Sequence, residues 1–222
     1  LVYRACEVVD HYDGLSAKLL KETGDERAVR KNEDVVRLDK LAKLLTPTAK
    51  LFCSEEANFV SYHSLQIFGG SGYTEEYDIA KIYRDARICT IYEGTTQLQA
   101  VAAIGGIVEG LRENGFLLGH LRSEIGKLTD AKTKEALNAD VDTLAKLVPQ
   151  YKERENKEAV SIDMVSAFAR IYVSILLAQQ LQIAHQKGLT EIAASKSKTF
   201  PHFHVMSRRY LAGLAVAIAN AA

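Results

Sequence analysis

Gln66-Ile67-Phe68-Gly69-Gly70-Ser71-Gly72-Tyr73, then Tyr83-Arg84-Asp85-Ala86-Arg87, then Ile91-Tyr92-Glu93-Gly94-Thr95: these residues decide how the chain is read. Gly69, Gly70 and Gly72 permit positive φ and close backbone approach. They read as a helix C-cap followed by a turn, and successive backbone N–H groups in such a turn can also hold a phosphate. Arg84 and Asp85 fall on a short helix between two turns. There they form a local pair on a solvated face, worth under about 1 kcal/mol, or they brace the two turns. Glu93 stands between Tyr92 and Gly94, just ahead of a helix start. An acid there suits the helix macrodipole. In an apolar cavity, desolvation would make the same carboxylate a stronger base, and Gly94 would admit a ligand close to the backbone.

Working outward, long apolar periodicities dominate, only three prolines occur, and no alternating strand pattern is visible. Residues 2–21 read as an amphipathic helix with Tyr3, Cys6, Val9, Leu15, Leu19 and Leu20 available for one stripe. Residues 21–33 are charged, contain Gly24 and read as a loop. A second long helical region covers residues 34–68, where Pro47 is expected to kink or divide the helix and Thr46 to cap the second part. A short helix follows over residues 77–88. Thr95 or Thr96 then caps a helix to about residue 111, with Thr96 and Gln99 matching a capping box. Asn114 and Gly115 form a hinge. Residues 116–128, 132–151, 158–186 and 201–219 read as four helices of an antiparallel bundle, with a polar linker at 152–157. The expected fold is all-α: an up-down helical bundle over residues 1–113 and a second helical bundle segment over 114–222.

The bulk numbers narrow the function. A chain of 222 residues fits one domain or two small ones. Lys plus Arg and Asp plus Glu both number 28, which removes the electrostatic case for nucleic acid or an anionic membrane. Cys6, Cys53 and Cys89 are odd in number and lack C-x-x-C spacing, so reduced thiols and a cytoplasmic setting are expected. No signal peptide is visible, and a start without Met reads as the interior of a longer protein. The most apolar run, residues 210–219, is about half the length of a membrane crossing. His202 and His204 diverge on a helix and have no third partner, so no metal site is expected. His11, His63, His120 and His185 read as surface or satisfied core. Phe168, Tyr172, Phe200 and Phe203 read as core, and Lys50, Lys81 and Lys127 as solvated. Neither G-x-S-x-G nor a Walker A motif occurs.

The glycine turn, the Arg-Asp helix and the Glu-Gly-Thr turn, in this order between residues 66 and 99, together resemble the C-terminal helical domain of the acyl-CoA dehydrogenases. Thr46-Pro47-Thr48-Ala49-Lys50 and the helix through Leu65 are similar too, so the likeness covers about residues 1–110. The remainder looks like the extra helical segment of a subgroup of long members, most visibly in Phe203, Arg208, Arg209 and Tyr210. The resemblance implies an FAD enzyme acting on an acyl-CoA. Glu93 would take the α-proton, with its backbone N–H polarising the thioester carbonyl, and Gly94 would border the substrate. Thr95 and Gln97 would touch FAD. Gln66, Ile67, Phe68, Gly69 and Gly70 would touch the FAD of a neighbouring subunit, which implies a homodimer or homotetramer. Electrons would pass to an electron-transfer flavoprotein, or to oxygen in an acyl-CoA oxidase. A non-enzymatic helical assembly or a nucleic-acid-associated relative is the rival from another class. The N-terminal helical and middle β-domains of the family are not in this sequence, which implies that the fragment alone is inactive. Some relatives place the base on an earlier helix; Glu93 favours the ordinary location.

Overall fold

The computed structural model describes residues 1–220, and among these no strand occurs. The all-α expectation is met. The first half comprises α1 (Val2–Thr23), α2 (Glu26–Lys31), α3 (Glu33–Phe68), α4 (Gly70–Tyr73), α5 (Asp78–Ile88) and α6 (Thr96–Gly110). The second half comprises α7 (Phe116–Gly126), α8 (Ala131–Glu153), a 3-10 turn (Lys157–Val160), α9 (Ser161–Gln186) and α10 (Thr190–Asn220).

Helix α3 is the rail on which the first half is built. Asn32 starts it by accepting hydrogen bonds from the N–H groups of Asp34 (3.1 Å) and Val35 (3.2 Å). Gly69, at φ 62°, ends it. At about 1.5 Å per residue its length is roughly 54 Å. Pro47 does not divide it, which rules out one of the two outcomes expected of it, and Thr46 caps nothing there. The turns on both sides of Pro47 are pinned by burial: Leu44, Leu45, Thr48 and Leu51 are all sealed from solvent. Tertiary packing therefore outweighs the lost N–H donor. Pro201 repeats the lesson. It was expected to open the last helix, yet α10 begins at Thr190 and carries Pro201 inside. Buried Phe200, stacked on His204 at 5.6 Å, fastens the turn across it.

Two further expectations fail. Residues 21–33 are not all loop, because Asp25 caps the short helix α2 by accepting from Arg27 N–H at 2.8 Å. In α1 the buried residues are Ala5 and Val8, while Tyr3 is 92% exposed and Cys6 and Leu20 also face solvent. Val9, Leu15 and Leu19 of the expected stripe are half-buried, so the stripe faces the interior only in part.

Helix α9 is the centre of the second half and packs against α10, α8, α6 and α3. Met164, Val165, Phe168, Tyr172 and Ile175 on it are fully buried. One apolar core runs from Ala5 of α1 through α3, α6 and α9 to Ile218 of α10. Polar groups tie the halves together. Arg170 of α9 pairs with Glu56 of α3 and lies over the rings of Phe52 (5.4 Å) and Tyr210 (5.0 Å). Phe52 also meets Phe203 edge-on at 6.5 Å. His204 is held by buried Asp140 at 2.6 Å, with Arg208 on the other carboxylate oxygen at 3.3 Å. The longest apolar run is Lys157–Gln186, not residues 210–219, and it has the length and composition of a membrane crossing. Its apolar window is 72% buried inside the protein, as a core helix requires.

Candidate active site

The turn between α5 and α6 is assembled from three directions. Asn58 of α3 donates to the carbonyl of Ala86 at 2.9 Å and holds the end of α5 against the rail. Arg87 donates to Thr90 Oγ1 at 2.7 Å, and Thr90 is buried. The N–H groups of Ile91 and Tyr92 both bond Ile88 O (2.9 and 3.1 Å), and Thr96 N–H closes the loop on Thr90 O at 3.3 Å. Glu93 (φ 51°) and Gly94 (φ 96°) are then forced into consecutive left-handed conformations. For Glu93 this costs about 1–2 kcal/mol. Gly94 favours glycine because φ 96° strains any L side chain, and a Cβ there would also push the Gln99 amide, 2.7 Å away, out of its place.

Side chains hold the strained turn. Gln99 Nε2 donates to Glu93 O at 2.9 Å, and Lys50 Nζ donates to Gly94 O at 2.6 Å. Lys50 also lies over the Tyr92 ring at 5.6 Å. Thr96 Oγ1 donates to Glu55 at 2.5 Å. The helix cap is Thr95, whose Oγ1 accepts from Leu98 N–H at 3.4 Å. The expected Thr96–Gln99 capping box does not form, because Gln99 reaches back to Glu93 instead. Lys50 is not solvated as expected. The signal that could have revealed it is its position: a lone cation between Ala49 and Leu51, in a run that proves buried. Lys127 is also engaged, with Glu124 at 2.5 Å.

The structure brings Glu93, Gly94, Thr95 and Gln97 together and leaves the Glu93 carboxylate exposed. The Glu93 N–H makes no hydrogen bond among the described residues. Gln97 has turned toward the second half, donating to Ser161 Oγ at 3.1 Å. Gln66, Ile67, Phe68, Gly69 and Gly70 lie apart from this group. Gln66 is roughly 17 Å further along α3 than Glu55, at about 1.5 Å per residue. All five are exposed, with Ile67 85% open, and a Cβ built on Gly69 or Gly70 meets nothing within 4 Å. This glycine edge is open and lies beside exposed apolar side chains, and it does not form a closed phosphate cradle. Arg84 and Asp85 lie on an exposed face, and Arg84 pairs at 3.9 Å with Glu75 instead of Asp85.

A mostly apolar groove of about 570 Å³ lies between α1 and α3, with Lys50 and Tyr92 in its lining. All three cysteines line it as free thiols, and burial pushes the Cys53 thiol up from its ordinary range. No group of three His, Cys, Asp or Glu side chains among the described residues could hold a metal ion.

Residues 25–104 match the family model described as acyl-CoA dehydrogenase, C-terminal domain. The chain belongs to the acyl-CoA dehydrogenase family. It is 33% identical over 163 residues to 3-methylmercaptopropionyl-CoA dehydrogenase of Ruegeria pomeroyi, covering 69% of this chain and 26% of that protein. It is 43% identical over 61 residues to the caffeyl-CoA reductase-Etf complex subunit CarC of Acetobacterium woodii, covering 28% of this chain and 16% of that one. The crystal structure of an acyl-CoA dehydrogenase complexed with FAD from Bacillus anthracis superposes with a TM-score of 0.62. That match has 19% identity and covers 95% of this chain and 38% of the other, so it speaks for the fold. The chain thus spans about a quarter of the length of the first of these relatives.

Proposed function

We propose that this chain is the C-terminal helical part of an FAD-dependent acyl-CoA dehydrogenase, with Glu93 as the base. The observation that carries the reading is the clamped left-handed Glu93–Gly94 turn. It presents an exposed carboxylate and a free backbone N–H from one rigid position. Rigid presentation of a base is what proton abstraction from a weakly acidic C–H needs.

In this reading Glu93 accepts the α-proton of an acyl-CoA thioester. The C–H electron pair moves into the forming α,β double bond as the β-hydrogen leaves with its pair, and the product is the trans-2-enoyl thioester. FAD, when bound, supplies the acceptor for that hydride. The Glu93 N–H would donate to the thioester oxygen and stabilise the negative charge that gathers there. Gly94, with no side chain, would let the substrate lie against the backbone. Thr95 and Gln97 would contact the flavin of the same subunit. The separate edge from Gln66 to Gly70 would contact that of a neighbour, which asks for at least a dimer. Electron-transfer flavoprotein as the onward acceptor is supported by the Etf complex named for the Acetobacterium woodii relative.

The test uses the full-length protein, held anaerobic and mixed with a panel of acyl-CoAs while flavin absorbance is followed. Wild type bleaches with one chain class. Glu93→Gln keeps its flavin and loses bleaching by at least about a thousandfold, within the range expected for removing a general base. Bleaching at near the wild-type rate in Glu93→Gln would put the base elsewhere.

A further inference from the structure

The two residues of the active-site turn that sit at positive φ, Glu93 and Gly94, each have their carbonyl oxygen held by one side chain. Gln99, from the same helix that follows the turn, takes the first. Lys50, from α3 and distant in sequence, takes the second. Gln99 belongs to the helix that the turn itself starts. Lys50 comes from a separate element, and its neighbours Thr48, Ala49, Leu51 and Phe52 are all buried in the rail. Lys50 is therefore the link that ties the turn to α3.

Its charge has no competing use. Lys50 forms no salt bridge among the described residues, and its half-buried ammonium is satisfied by Gly94 O at 2.6 Å and the Tyr92 ring at 5.6 Å. A partly buried cation spent on one carbonyl makes a strong, charge-assisted bond. Glu55, further along the rail, accepts from Thr96 on the other side of the turn. We infer that Lys50 is a positioning residue for the catalytic base: it fixes the Gly94 carbonyl, and through it the left-handed turn that aims Glu93, with Glu55 as the second anchor. This rests on the assignment of Glu93 as the base.

The closing experiment compares Lys50→Met, Lys50→Arg and Glu93→Gln in the full-length protein. Two readouts are used. The first is single-turnover flavin reduction as a function of acyl-CoA concentration, which separates the limiting rate from the half-saturating concentration. Lys50→Met is expected to lower the limiting rate about a hundredfold, the scale of a displacement near 1 Å at a reacting group. Flavin content and half-saturation stay as in wild type, and Lys50→Arg, which keeps a cationic donor, recovers most of the rate. The second is hydrogen exchange of the peptide spanning residues 92–96, which needs neither substrate nor turnover. Lys50→Met is expected to speed exchange there at least tenfold and leave α6 and α9 unchanged. Unchanged exchange in that peptide, or a limiting rate within threefold of wild type, overturns the inference. If Glu93→Gln is inert and Lys50→Met is normal, positioning alone fails. If Glu93→Gln turns over normally, the base assignment fails and this inference falls with it.

Discussion

Glu124 offers the sharpest energetic test of how the two halves are joined. It sits on α7 with its side chain 5% exposed, and it gathers partners from three elements. Gln179 of α9 donates to its Oε2 at 3.0 Å, Lys127 pairs at 2.5 Å, and Arg4 of α1 lies at 3.6 Å. Burial alone would raise its pKa, yet the hydrogen bonds from Lys127 and Gln179, with the Arg4 charge, hold it below its ordinary value. Glu124→Ala removes one buried hydrogen bond to a charged group, worth about 1.5–3 kcal/mol. The Lys127 pair adds little, because that side chain is 57% exposed. Arg4 is not stranded, since it keeps Glu7 at 3.2 Å. Gln179 retains the Glu124 backbone carbonyl at 3.0 Å. The expected loss is therefore about 2–3 kcal/mol, well short of the roughly 3–5 kcal/mol of a fully stranded buried charge. In a protein of this size each kcal/mol shifts Tm by about 2–4 °C. Glu124→Gln, which keeps an acceptor for Gln179, should lose only about 1 kcal/mol. The sign with pH follows from the lowered pKa. The stabilisation is present above the unfolded value, near about 4.3, and is lost as pH falls through the lower folded value. Urea denaturation at neutral and acid pH checks both points, with wild type and Glu124→Gln converging in stability as pH falls through the lowered folded value. A neutral Glu124→Ala, or equal losses for Ala and Gln, would refute the reasoning.

Gly94→Ala places a Cβ at φ 96° and 2.7 Å from Gln99 Nε2. It is expected to destabilise by at least about 1–2 kcal/mol and to cut the limiting rate of flavin reduction, as measured by melting and single-turnover kinetics. Tyr210 has its pKa pushed up to about 12, first by burial and then by the hydrogen bond it donates to Asp163 at 2.7 Å. Its contribution to stability is full below the unfolded value near about 10 and is lost as pH rises towards the folded value. Alkaline titration followed in the near ultraviolet should therefore show no difference between wild type and Tyr210→Phe below about pH 11, and an earlier difference would refute the buried donor.

The sequence made legible what depends on neighbours in the chain. The glycine that stops α3, the threonine that caps α6 and the helical period of α9 are local signals, and each appears where it was read. Pro47 and Pro201 misled because proline's local penalty was judged without the burial that outweighs it. The α1 stripe was only half right, since Val9, Leu15 and Leu19 are half-buried while Tyr3, Cys6 and Leu20 face solvent and Ala5 and Val8 take the most buried positions. Lys50 was hidden because its acceptor, Gly94 O, lies far along the chain and only the fold brings them together. The order of motifs pointed to Glu93 and its turn, but the consecutive left-handed pair is a product of closure between α5 and α6, and single residue types do not announce it.

The match to the family model ends at residue 104, yet Ala100, Ala103 and Ile107 of α6 are wholly shielded from solvent, and α6 packs against α9 far downstream. A chain cut after residue 113 would strip α9 from α6 and release Gln97 from Ser161. The stretch that is recognisable by likeness is therefore shorter than the stretch that must melt as one. A substitution in α9 should be felt, as a loosening, at the turn that carries Glu93.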